Sequence, residues 1–161
     1  MLLLHMLQSP NEISLQIQQL VSGARLEMLS EEQLFDIFGK KGFVNGGELF
    51  LRVPTALEFI TACEKNNLSV IGMEGFSDEG GAVRPRLDMI ADYSGVREKT
   101  WQEFRKTCNS ASRKFLLGLE PKNGILICLT TFSEEEWHDS LSEMYETDQE
   151  DVLLLADQLV G

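Results

Sequence analysis

The sequence predicts an α+β fold, a single domain in which helices pack against a mixed, partly antiparallel sheet. Three observations predict it. Apolar residues recur at helical spacing behind recognisable N-terminal caps. Between these stretches lie short runs rich in Val, Ile and Phe, bounded by glycine turns. Two of those runs are joined by a linker so short that they can pair only in antiparallel fashion. The length of 161 residues fits one domain.

Ser9-Pro10-Asn11-Glu12 opens the first helical pattern, with Ile13, Ile17, Leu20 and Val21 on one face and Gly23 at its end. Ser30-Glu31-Glu32-Gln33 has the capping-box spacing and precedes Leu34, Phe35, Ile37 and Phe38, and Gly39 and Gly42 stop that helix. Residues 1–45 therefore read as an N-terminal helical segment packed on an α/β core of residues 46–161. Glu48 to Val53 is a strand, and Pro54 at the first helical position starts a helix whose buried stripe is Ala56, Phe59, Ile60 and Cys63. Asn66-Asn67 close it. Leu68 to Phe76 is the next strand, Ser77-Asp78-Glu79-Gly80-Gly81 is a hairpin turn, and Leu87 to Tyr93 returns, with Pro85 limiting its pairing near the start.

A long helix follows the cap Thr100-Trp101-Gln102-Glu103, with Trp101, Phe104, Cys108, Ala111 and Phe115 on its apolar face and Gly118 at its end. Pro121-Lys122-Asn123-Gly124 turns the chain into Ile125 to Thr130, a wholly apolar strand expected to be buried on both faces. Ser133-Glu134-Glu135-Glu136 caps a last helix with Trp137, Leu141, Met144 and Tyr145 on one side. Residues 151–160 fit helix or strand equally.

Composition is that of an ordinary globular chain, 43% apolar and 25% charged. The net charge of −12 argues against nucleic-acid binding, which depends on phosphate neutralisation by lysine and arginine. No run approaches the roughly 18 apolar residues that span a bilayer. The apolar start, Met1 to Leu7, lacks the basic flank and cleavage site of a secretory leader, and Met6 offers a second start. Cys63, Cys108 and Cys128 are scattered and odd in number, which reads as reduced, buried thiols in a cytoplasmic protein.

Charge is distributed unevenly. Residues 1–122 hold 16 acidic and all 14 basic side chains; residues 123–161 hold ten acidic ones and no lysine or arginine. A block of like charge costs self-repulsion, and it reads either as a solubilising face or as a field kept for a partner. The candidate partner-binding residues are Glu134, Glu135, Glu136, Asp139, Glu143 and Glu146. The long helix carries Arg105, Lys106, Arg113 and Lys114, an opposite sign that suggests it packs beside the acidic helix.

Chemistry-bearing motifs are scarce. Asp88 and Asp92 share a strand face that Glu74 would approach, a set that could hold Mg²⁺ or Ca²⁺ through oxygen ligands in a metal-assisted hydrolase. Arg84 and Arg86 offer these carboxylates ordinary ion-pair partners instead. His5 and His138 are the only histidines, and no nucleophile, phosphate loop or zinc spacing accompanies them, so neither cofactor nor metal is expected and the enzymatic reading is the weaker one. The apolar Val152–Leu155 stretch leaves open a self-associating regulatory module.

Val70-Ile71-Gly72-Met73-Glu74-Gly75-Phe76, a short turn, and Arg86-Leu87-Asp88-Met89-Ile90-Ala91-Asp92-Tyr93-Ser94 resemble a pattern found in the immunity proteins of bacterial polymorphic-toxin systems. The resemblance covers about residues 48–94. It implies a non-enzymatic protein that binds and blocks a cognate toxin. Together with the acidic C-terminal quarter, it makes the expected partner a protein with a basic surface.

Overall fold

The structure, a computed structural model, describes residues 27–120 and 123–143. Its first helix, α1 (Glu31–Gly39), has the capping box the sequence spells. Gln33 N–H donates to the Ser30 hydroxyl at 3.2 Å and Ser30 N–H to the Gln33 side chain at 2.8 Å. Strands β1 (Phe43–Asn45) and β2 (Glu48–Arg52) follow, joined through Gly46 and Gly47, both at positive φ. Helix α2 (Val53–Lys65) leads to the hairpin of β3 (Ser69–Asp78) and β4 (Val83–Asp92), and then come α3 (Trp101–Gly118) and β5 (Ile125–Phe132). Residues 134–143 form α4. The expected helix at 9–23 and the 151–160 stretch lie outside the described residues.

The α+β class is as expected, in one domain. The sheet has the order β1-β2-β5-β3-β4, and every pair in it is antiparallel. A β-α-β unit suggests a parallel pair, the reason to expect a mixed sheet. Here β2 and β3 do run parallel, but β5 is inserted between them and pairs antiparallel with both. β1, three residues between glycines, carries too little periodicity to be read in advance.

The described helices lie on one side of this sheet. Leu34 and Phe38 of α1, Ala56, Phe59 and Ile60 of α2, and Leu116 of α3 join Leu49, Leu51, Val70, Met73, Met89, Ile125 and Ile127 in the main core. Phe38 meets Phe59 edge to face at 5.0 Å. A second, smaller core holds Ile71, Trp101, Phe104, Cys108 and Trp137. A bulge makes it possible. Val70 pairs with Thr131 and Gly72 with Thr130, so Ile71 is an extra residue turned into the aromatic cluster.

The apolar face of α3 differs from the expected stripe past Cys108. Ala111 and Phe115 are half-buried, and the wholly buried positions are Asn109, Ser112 and Leu116. The reason is the backbone at the β3 bulge. Asn109 Oδ1 accepts from Val70 N–H at 2.7 Å, its Nδ2 donates to the Leu68 carbonyl at 3.0 Å, and the Ser112 hydroxyl donates to the Val70 carbonyl at 3.3 Å. Buried backbone groups must be paired. Two polar side chains on the core face of a helix do that here.

Candidate functional site

The acidic C-terminal helix begins with the third capping box. Ser133 N–H and its hydroxyl both donate to Glu136, at 2.7 and 2.8 Å, and Glu136 N–H donates back to the Ser133 hydroxyl at 3.3 Å. Trp137 anchors the helix. It is 5% exposed, with its ring centroid 6.0 Å from Trp101 and 5.7 Å from Phe104. It is thus a core residue and not an exposed binding anchor.

With Trp137 turned inward, Glu134, Glu135, Glu136, Asp139 and Glu143 lie on the solvent side of α4, all exposed. Glu134 accepts from the Asn67 amide at 3.1 Å and Glu136 is engaged in its cap, while Glu143 has an interaction of its own. Glu135 and Asp139 have no partner among the described residues. Glu146, like Tyr145, lies outside the described residues.

The arginines of α3 turn elsewhere. Arg113 pairs with Glu64 of α2 at 2.8 Å and Arg105 donates to the Glu64 carbonyl at 3.0 Å. The expected neutralisation of α4 by α3 is therefore not made by these residues, because α3 lies flank to flank with α2 and its arginines reach across that seam. Ion pairs join Lys41 to Glu58, Arg52 to Asp78, Arg84 to Glu79, Arg86 to Asp88 and Arg113 to Glu64, and neither Glu135 nor Asp139 takes part in them.

The three carboxylates considered for a metal are placed by the sheet register. Gly72 pairs with Asp92 and Glu74 with Ile90, so Glu74 and Asp92 are diagonal neighbours on the face away from the helices. Asp88 is taken by Arg86, which grips it through two nitrogens at 2.9 and 2.7 Å and holds its carboxyl below the usual carboxylate range. Asp92 accepts from Ser94 N–H at 2.9 Å, and the Ser94 side chain first and this amide second lower its pKa likewise. Among the described residues no group of three or more His, Cys, Asp or Glu side chains is placed to hold a metal ion.

The thiols are poor nucleophiles. Burial, with a smaller push from Glu31 and Glu64, raises Cys63 to about 12, and burial with Glu48 and Glu74 beside it raises Cys128 to about 11. Burial also raises Cys108, partly offset by a hydrogen bond from Ser69, whose buried hydroxyl has no nitrogen or oxygen partner. Only the thiolate is nucleophilic, so burial disfavours all three cysteines as nucleophiles.

The face away from the helices was not legible as a site. Phe43 stacks on Phe50 at 5.1 Å, and Phe50 meets Phe76 edge to face at 5.1 Å. With Leu126 beside them they form an apolar strip on the face opposite the described helices, where Phe50 and Leu126 are only 4% and 2% exposed, so β5 is buried on both faces at 125–127. The available signal was β5 itself, apolar at positions of both faces.

Fold and surface together define a class: an antiparallel sheet protein with an acidic flanking helix and no assembled catalytic group among the described residues. No family model, curated protein or solved structure shows significant similarity to this chain. Among the described residues no helix is long and apolar enough to cross a membrane.

Proposed function

We propose that this chain is a non-enzymatic binding protein of the immunity type, an inhibitor that neutralises a cognate toxin presenting a basic surface. The observation that carries the reading is the solvent side of α4, where Glu135 and Asp139 are exposed and have no partner among the described residues. The likeness of residues 48–94 to immunity proteins supports it independently of charge. An outward acidic field steers a basic partner, raising association rates toward about 10⁸–10⁹ M⁻¹s⁻¹ at low salt against roughly 10⁵–10⁶ for neutral pairs. Toxins that attack nucleic acid carry such basic, phosphate-seeking surfaces.

The test starts from the protein encoded beside this chain in its genome of origin. Co-expression should rescue growth of cells poisoned by that product, and the two should co-purify. Glu135→Lys with Asp139→Lys should slow their association by about tenfold or more at low salt, with the difference shrinking at 1 M salt, where the Debye length is about 3 Å. Melting temperature should stay unchanged, since neither side chain has a partner among the described residues. An unchanged association rate would overturn the role given to α4.

A further inference from the structure

A cleft opens where β2 and β5 part. β2 pairs with β5 only through Phe50, Leu51 and Arg52, whereas β5 runs on beside β3 as far as Phe132. Glu48 and Leu49 pair with β1 instead, so no described strand lies against Leu129 to Thr131 on the β2 side. Helix α1 roofs the gap. The Thr131 hydroxyl donates to Glu31, and Phe35 follows one turn further along the helix.

The cleft has a volume of about 240 Å³. Phe35, Leu49, Phe59 and Leu129 form its apolar wall, Glu31 and Glu48 add two carboxylates, and no described lysine or arginine lines it. Leu49 and Phe59 are buried, Phe35 and Leu129 half-buried, and both glutamates exposed, which puts the apolar part deep and the charge at the mouth. Gly47 keeps that mouth open, because a Cβ there would meet nothing within 4 Å. The nearby cations are committed elsewhere, Lys41 to Glu58 and Arg52 to Asp78. Drug-sized ligands fill about 300–1,000 Å³. A cavity of about 150 Å³ takes a six-carbon ring. The cleft therefore suits one long side chain.

We propose that it receives a lysine side chain of the basic partner, with the methylene stem against Phe35, Leu49 and Leu129 and the ammonium at Glu31 and Glu48. Lysine buries an apolar stem while its charged head stays near water, and the wall and mouth divide in the same way. Arginine fits less well. Its planar fork binds best to a carboxylate that offers both oxygens, and Glu31 already serves Thr131. A compact ammonium with three rotatable donors meets two separate carboxylates without that demand. A second copy of this chain is disfavoured as the source, since two molecules of net charge −12 repel. The inference rests on the reading of the chain as a binder of a basic protein, and it adds a contact distinct from the α4 carboxylates.

The test uses the full chain, isotope-labelled, and four capped pentapeptides that differ only in a central lysine, arginine, norleucine or glutamate among glycines and serines. The lysine peptide should shift the Leu49 and Leu129 methyls and the Thr131 amide saturably at millimolar concentration. The arginine peptide should bind more weakly, and the other two should produce no saturable shift. Glu31→Gln with Glu48→Gln should weaken the lysine peptide about tenfold with Tm unchanged, and Glu48→Gln alone about threefold. Glu135→Lys with Asp139→Lys should leave it nearly unaltered. No saturable shift with lysine, equal binding of norleucine, or equal loss in the α4 variant would overturn the cleft inference and leave the basic-partner reading to the α4 association rate. Arginine binding as tightly as lysine would overturn the choice of side chain. Preference for the glutamate peptide would overturn both readings. Leu129 methyl shifts that change on dilution of the free protein would mean that a second copy fills the cleft, which also overturns the proposal.

Discussion

Asn109→Ala is the sharpest probe of how this fold is held together. The Asn109 side chain is wholly buried and serves two backbone groups of β3, accepting from Val70 N–H and donating to the Leu68 carbonyl. Alanine leaves both groups in place with no protein partner. Each orphaned buried group costs about 1–3 kcal/mol, so the expected loss is about 4 kcal/mol. That is a large part of the roughly 5–15 kcal/mol by which domains are stable. For a chain of this length it corresponds to a fall in Tm of about 8–16 °C. Urea unfolding followed by tryptophan fluorescence measures the loss, and amide exchange at Val70 localises it. Asn109→Asp should be no better, because it keeps an acceptor for Val70 but turns a carboxylate toward the Leu68 carbonyl. A loss below about 1 kcal/mol for Asn109→Ala, with Val70 exchange unchanged, would refute the idea that this side chain holds the bulge.

Gly42→Ala should destabilise by about 1–3 kcal/mol in the same assay, because its Cβ would lie 2.3 Å from the Phe50 carbonyl oxygen, a backbone atom that cannot swing aside. Trp137→Ala should cost about 3–5 kcal/mol and shift the Trp101 emission to the red as its cluster opens to water. Cys63 should resist Ellman's reagent at pH 8 until the chain unfolds. Its folded pKa of about 12 lies above the usual thiol value, so the fold favours the neutral form. Stability from that source is complete below pH 9 and falls as pH rises toward 12, by at most about 1.4 kcal/mol per pH unit. Cys63→Ala should flatten that alkaline decline.

The local grammar of the fold is written in the chain because capping and turn chemistry act over three or four residues. Ser30, Thr100 and Ser133 cap the helices they precede, Pro54 opens α2, and Gly80-Gly81 turn the hairpin. Pairing order was not legible, since placing β5 between β2 and β3 depends on contacts between distant segments. The buried Asn109 and Ser112 defeat periodicity for a different reason. Apolar periodicity assigns polar residues to solvent, whereas these two are inside because a bulge 40 residues upstream needs a donor and an acceptor. For the site, the exposure of Glu134, Glu135, Glu136, Asp139 and Glu143 follows directly from the burial of Trp137. The partners of the arginines did not follow, because sequence spacing carries no information on which helix lies beside which.

The described residues of α4 offer a partner charge, because their one large aromatic, Trp137, is spent on the second core. Solvated carboxylates of that kind raise association rates and add little to the lifetime of a complex, since exposed ion pairs contribute only about 0–1 kcal/mol each. Substitutions at Glu135 and Asp139 should therefore act on the association rate and its salt dependence and leave the dissociation rate nearly unchanged, and a change confined to dissociation would refute the steering role.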